Sequence, residues 1–204
     1  MWRGLRQVLV DANHQKAFGL TGLIMFSSFT VIPYITLFMT ANVGLSAAQI
    51  PYLYLCGGVA TLFSARLFGR LTDQRGKVAT FQWLALAAIG PLLGVTLVAG
   101  LPLAGVLVVT TLMFILTSGR MIPGMAIVTS AAEPQLRGTF MTLNASVQSA
   151  AMGIASLIGG QIISRDAQGL VRGYWQAALV GVIASVAAWW LAPRLRLHGV
   201  PARS

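Results

Sequence analysis

The chain is 204 residues long, 56% hydrophobic and only 9% charged, with a mean hydropathy of +0.78. A soluble domain keeps its surface wet with roughly a quarter of its residues charged, so this composition excludes an ordinary water-soluble globule and favours lipid as the solvent. The formal charge of +10 does not point to nucleic acid, because the cations sit between apolar segments and form no patch interleaved with aromatic residues. The single cysteine, Cys56, lies in an apolar run, so no intrachain disulfide forms, and the sequence carries no zinc spacing and no sign of a metal or other cofactor.

In chain order, residues 1–16 read as a basic lead with Arg3, Arg6 and Lys16 beside Asp11 and His14. It lacks the short apolar core and small-residue cleavage site of a signal peptide. Six apolar stretches follow, each near the roughly 20 residues a helix needs to cross the hydrocarbon core. They cover about 17–40, 51–68, 78–99, 103–130, 138–163 and 174–192, and a basic tail, 193–204, closes the chain. Pro33 falls near the middle of the first, and Gly90 and Gly94 flank Pro91 in the third. Trp2, Trp83, Trp175, Trp189 and Trp190 lie near span ends, where an aromatic belt anchors helices.

Orientation follows from the cations. With the N-terminus inside, eleven of them (Arg3, Arg6, Lys16, Arg66, Arg70, Arg75, Lys77, Arg137, Arg194, Arg196 and Arg203) fall on the cytoplasmic side and two (Arg165 and Arg172) outside. The positive-inside rule then puts both termini in the cytoplasm. The expected fold is an all-α integral membrane bundle of six transmembrane helices.

Three groups of residues inside the spans invite a functional reading. Ser27, Thr30 and Tyr34 share one face of the first span; they either bond their own helix backbone or line a solute cavity. Asn144 and Gln148, one turn apart on the fifth span, need partners in a bilayer; they either bond a neighbouring helix or form a polar cavity wall. Arg120 is the one charge well inside a span, and such a cation must snorkel, pair or face water. Beside these, Ala145, Ser149, Gly153 and Gly160 form a row of small residues suited to close helix packing, as do Gly90 and Gly94.

The densest charge cluster is Gly69-Arg70-Leu71-Thr72-Asp73-Gln74-Arg75-Gly76-Lys77, a tight turn between the second and third spans. Gly69 there permits close helix approach. Asp73 is available to the N-terminal amides of the fifth span, where a carboxylate is favoured by roughly 0.3–1 kcal/mol, and Arg120 or Arg137 can add a charge-assisted bond. Gly69, Asp73, Arg75, Gly76, Lys77 and Arg137 thus read as a conformational latch; in the plainer reading Asp73 only solvates the turn.

These residues resemble the major facilitator superfamily of secondary transporters. Gly69, Asp73, Gly76 and Lys77 match the family's signature between the second and third helices of a half, with Gln74 standing where a cation is usual. Leu116, Arg120 and Gly124 resemble a fourth-helix pattern of drug–proton antiporters, with Pro123 replacing a glutamine. Pro134, Arg137 and Gly138 resemble the loop into the fifth helix, and Gly159 and Gly160 part of an antiporter signature in which Ala155 and Ser156 replace glycine and proline.

The resemblance implies one half of a transporter, a 3+3 inverted repeat that works with a second six-helix half, supplied by a separate chain or by a homodimer, around a substrate near the midplane. The basic lead and short tail favour the C-terminal half, although the Arg120 pattern is usual in an N-terminal one. The implied activity is efflux of a drug or sugar by proton exchange, in a bacterial inner (plasma) membrane. A non-transporting interaction subunit, or an inactive remnant of a full-length transporter, is the other reading. A membrane enzyme is disfavoured, since His14 and His198 lie in the tails and no nucleophile–base or metal-ligand set falls at membrane depth.

Overall fold

The computed structural model describes residues 2–198, with side chains from Leu5 onwards. It is all-α apart from one short hairpin. The expected basic lead is itself helical: α1 spans Trp2–Val10, and Asp11 caps the next helix by accepting the His14 amide at 2.7 Å. The Trp2 and Arg3 side chains, and Arg203 in the tail, lie outside the described residues.

Proline dictates how the long rods are divided. A proline has no N–H for the carbonyl four residues earlier, and its ring crowds that carbonyl. The first rod is α2 (Ala12–Phe29), a 3-10 turn (Ile32–Tyr34) and α3 (Ile35–Ala41), broken four residues before Pro33. The third is α5 (Lys77–Ala87) and α6 (Ile89–Gly94), broken four residues before Pro91. The fourth is α7 (Leu103–Gly119) and α8 (Met121–Ala131), broken four residues before Pro123. The other rods are unbroken: α4 (Ile50–Arg75), α9 (Arg137–Ile162) and α10 (Tyr174–Leu191).

Among the described residues five rods are long and apolar enough to cross a membrane: Ala12–Ala41, Ile50–Arg75, Lys77–Gly94, Leu103–Ala131 and Tyr174–Arg194. The expected fifth span, α9, is a helix as long as α4, 26 residues each, but is not among them. Its amides and hydroxyls, Asn144, Gln148 and a series of Ser and Thr, dilute its apolarity.

The charged cluster is not a loop. Helix α4 continues through Gly69 and Asp73 to Arg75, and the whole turn is Gly76, at φ 90° and ψ 151°. That conformation is open essentially to glycine alone. Lys77 already begins α5.

Helix α2 packs between α9 and α10 and touches α8, α4 lies along α7, and α5 packs against α8 and α10. The outer face of α4 exposes Leu55, Leu62, Phe63 and Leu67, a surface suited to lipid. The interior has two apolar cores. One, nearer the chain termini, gathers Val8, Leu20, Ile24, Phe81, Ile127, Phe140 and Ala188; the other gathers Val31, Phe38, Leu53, Leu92, Met113 and Tyr174. Between them along the rods lies a polar layer that includes Ser27, Ser28, Arg120 and Ser185.

Each end is tied by polar contacts. At the terminal end, Asn13 donates to the carbonyls of Ala131 and Arg196, and buried His14 accepts the Glu133 amide at 3.3 Å. At the other end, β1 (Ser164–Arg165) and β2 (Val171–Arg172) form an antiparallel hairpin joining α9 to α10.

Candidate functional site

The site is built around Arg120, at the break between α7 and α8. Its residue is 1% exposed, so the guanidinium does not snorkel to either interface. Nη1 donates to Ser185 Oγ at 2.8 Å, and Nη2 donates to Ser28 Oγ at 2.8 Å and Ser27 Oγ at 3.0 Å. Three helices thus converge on one cation: α2, the α7–α8 joint and α10. The hydroxyls relay onward, Ser185 to the Ala85 carbonyl at 3.2 Å and Ser28 to the Ile24 carbonyl at 3.4 Å. All the acceptors are neutral. Arg120 Nε has no partner among the described residues.

A cavity of about 330 Å³ adjoins this cluster, between the first rod, α7–α8 and α9. Ser28, Phe29, Phe114, Thr117, Gln148 and Met152 line it, so its wall is ring and thioether with a few polar groups. Ser28 belongs both to the wall and to the Arg120 cluster. A second cavity of about 310 Å³ lies between α4 and the α7–α8 joint, against Ser64, Ser118 and Gly119. A larger one, about 630 Å³, lies outside the spans, between α1 and the segment leading into α9, lined by Arg6, Gln7, Asp11, Glu133, Gln135 and others.

The six cavity candidates separate cleanly. Gln148 lines the cavity, Arg120 is one hydrogen bond behind its wall through Ser28, and Ser27 accepts from the same Arg120 nitrogen. Thr30 is fully buried, its hydroxyl without a partner among the described residues, and Gly181 of α10 packs closely on it. The other two are committed to helix pairing. Asn144 Oδ1 accepts from Thr21 at 2.7 Å, and Tyr34 donates to the Ser156 carbonyl at 2.5 Å with its ring against Gly159 and Gly160. The sequence did not single out Ser28 or Ser185. A signal for Ser185 was available, since it is the one hydroxyl in the run 177–188 of an alanine- and valine-rich sixth span.

The latch residues are not brought together. Gly69 faces open space, so no helix approaches there. Asp73 is exposed and, among the described residues, makes no hydrogen bond or ion pair. Arg75 ends α4, and Arg137 is the exposed first residue of α9. The contact the stretch does make is through Lys77, whose Nζ donates to Ser130 Oγ at 2.6 Å and ties α5 to the end of α8.

The packing row is displaced by one residue. Ala145 and Ser149 do not belong to the buried face and Gly153 faces open space, whereas α9 buries Phe140, Asn144, Ala155 and Gly159. The reason is geometric: on a 100° helix, neighbouring four-residue rows lie side by side, and the larger Phe140 and hydrogen-bonded Asn144 select the inner one. Gly160 does pack within the chain, on Tyr34. In the third rod a Cβ on Gly94 would sit 3.4 Å from Val109 Cγ1, while Gly90 faces open space.

Outside the spans, Arg172 Nε donates to Asp166 Oδ2 at 2.8 Å, and the Leu170 and Gln168 amides donate to Oδ1. The Arg172 hydrogen bond, chiefly, holds the Asp166 carboxyl below the usual carboxylate range.

No family model matches the chain. Over 80 residues it is 35% identical to solute carrier family 22 member 18 of Rattus norvegicus. The match takes in 38% of this chain and 18% of that protein's length.

Proposed function

We propose that this chain is one half of a secondary transporter of the major facilitator type, moving a small organic solute across a membrane by alternating access. The observation that carries the reading is the cavity of about 330 Å³ between the first rod, α7–α8 and α9, backed by a buried cation. Ligand pockets of about this size, largely apolar with a few placed polar groups, are the usual form of a small-molecule site. The partial similarity to a solute carrier supports the same class.

A second half completes the unit. Helix α9 exposes Thr142, Ser146, Ser149 and Gln161 over a length that matches the spans beside it, and such a face is costly in lipid. It is the surface on which a second chain, or a second copy, closes the solute path. Within that unit we place both termini in the cytoplasm of a bacterial cell and assign efflux of a drug or sugar against protons. None of the four acidic residues lies mid-span, so the proton carrier belongs to the other half. The charged end of α4 serves as the latch, Asp73 closing on the start of α9 in a conformation other than this one.

Efflux of a fluorescent dye or radiolabelled sugar from proteoliposomes, with and without a proton gradient, tests the proposal. Gradient-dependent flux with the partner half, or with the chain as a dimer, is the expected result. Flux from neither arrangement supports the other reading, a non-transporting interaction subunit or an inactive remnant.

A further inference from the structure

We infer that the solute taken by the cavity between α2, α7 and α9 is an organic anion, an apolar body with one carboxylate that becomes the counter-charge of Arg120. The inference rests on the transport reading only for the word solute; as a binding site it stands alone.

Arg120 is buried at 1% exposure among three neutral hydroxyls, and a guanidinium is a cation at neutral pH. Hydroxyl dipoles solvate a cation but do not neutralise it, and buried charges in proteins are paired. The chain has four acidic residues: Asp11 caps α2, Asp73 lies in the last turn of α4, Glu133 lies between α8 and α9, and Asp166 lies in the hairpin. None of these reaches Arg120. An entering anion can therefore supply a counter-charge that no acidic side chain of this chain does.

Geometry says where. Of the three hydroxyls on Arg120, Ser28 also forms the wall of the cavity, and its donor bond to Ile24 is long at 3.4 Å. Arg120 does not itself line the cavity, and rotating the Ser28 hydroxyl off Nη2 is the movement that would open this donor towards it. An entering carboxylate then replaces a neutral acceptor with a charged one, which makes a bond roughly twice as strong. Nε, without a partner among the described residues, offers a second donor in the same guanidinium plane.

The rest of the wall selects the body of the solute. Phe29, Phe114 and Met152 offer ring and thioether surface, and Thr117, Ser118 and Gln148 add polar groups to that of Ser28. About 330 Å³ is at the small end of ligand pockets. A single-ring aromatic carboxylate fits this description better than an oligosaccharide or a dication.

Benzoate, benzamide and benzylamine share one ring and differ in charge, so they are the probes. Thermal unfolding of the full chain in nanodiscs is followed as each is titrated, because a ligand that binds the folded state raises the midpoint. Benzoate is expected to raise it saturably and the other two are not. Arg120→Gln should abolish the shift, Arg120→Lys should keep a weaker one, and Gln148→Leu, which leaves the Arg120 cluster intact, should weaken benzoate binding about tenfold. Equal shifts from benzoate and benzamide overturn the inference. So does a benzoate shift that survives Met152→Trp, which fills the cavity, or the finding that an acid of the partner half supplies the counter-charge and removes all discrimination by charge. Benzoate binding without flux of any solute in proteoliposomes sinks the transport reading and leaves the anion site; flux of neutral solutes without benzoate binding does the reverse.

Discussion

Asn42 holds Val171 by both backbone groups, its Nδ2 donating to the Val171 carbonyl at 2.9 Å and its Oδ1 accepting the Val171 amide at 2.8 Å. One side chain thus stands in for a strand and joins the end of the first rod to the hairpin between α9 and α10. Each such bond contributes about 1 kcal/mol, and a buried group left without a partner costs about 1–3 kcal/mol. Asn42→Ala should therefore lower stability by about 2 kcal/mol, with Asn42→Asp close behind because it loses the donor. Unfolding in detergent measures both, and an unchanged midpoint for Asn42→Ala would show the clamp to be dispensable.

The two glycines of the charged stretch should respond in opposite ways. Gly76 sits at φ 90° and ψ 151°, where a side chain costs about 1–3 kcal/mol; Gly76→Ala should destabilise by that much and loosen the Lys77–Ser130 contact. Gly69 is inside α4 with open space around its Cβ position. Gly69→Ala should gain about 0.5–1 kcal/mol of helix stability. If transport nevertheless falls in Gly69→Ala, the close approach it prevents belongs to another conformation, as the latch requires.

Asp73→Asn tests the latch directly. A helix-end charge in a partly buried setting contributes up to about 2 kcal/mol, so flux should drop by up to about thirtyfold while the unfolding midpoint of this conformation, in which Asp73 is exposed, stays put. Equal flux from Asp73→Asn and the parent leaves Asp73 as a solvating group only.

The hairpin should open in acid. A carboxyl held below its ordinary range contributes stability above that range and loses it as pH falls through its lowered folded value. Asp166 is such a group, held down mainly by Arg172. Exchange of the Leu170 and Gln168 amides, both bonded to Asp166, should accelerate relative to neighbouring amides once pH drops below the normal carboxylate range. Arg172→Ala should move that onset upward.

At Gly173 the backbone is left-handed at φ 80°, and an added Cβ would run into the Ile162 carbonyl. Gly173→Ala combines a conformational cost of about 1–2 kcal/mol with a backbone clash, and should reduce the folded yield more than Gly76→Ala or Asn42→Ala.

Much of the rod pattern was legible because apolar runs and proline positions act locally. Pro33, Pro91 and Pro123 each remove a bond to a carbonyl four residues back, and the helices end there. The turn at Gly69–Lys77 misled for a related reason. Charge density reads as loop, yet a helix end carries charges equally well once it leaves the apolar zone, and only Gly76 has a backbone that must turn. Arg120 stood out as a mid-span cation and Ser27 as a candidate on the first span, but nothing linked the two, and Ser28 and Ser185 did not stand out. Ser27, Ser28 and Ser185 are distant from it in sequence and neutral, and nothing local distinguishes a serine that bonds its own helix from one that accepts a guanidinium. The same limit applies to α9, where two adjacent rows of small residues differ only in which one meets α2.

The three proline breaks carry one more implication. They leave Phe29, Ala87 and Gly119 at the helix ends, beside Ser28 and Arg120 of the polar layer and the Ala85 carbonyl that Ser185 bonds. Three rods are therefore jointed at a common depth, and each apolar core is bounded by its own set of half-rods. The bundle is a two-storey frame whose floor is made of hydroxyls and one guanidinium. Bending at that floor costs hydrogen bonds that can re-form at new angles, whereas bending anywhere else would have to part close-packed side chains.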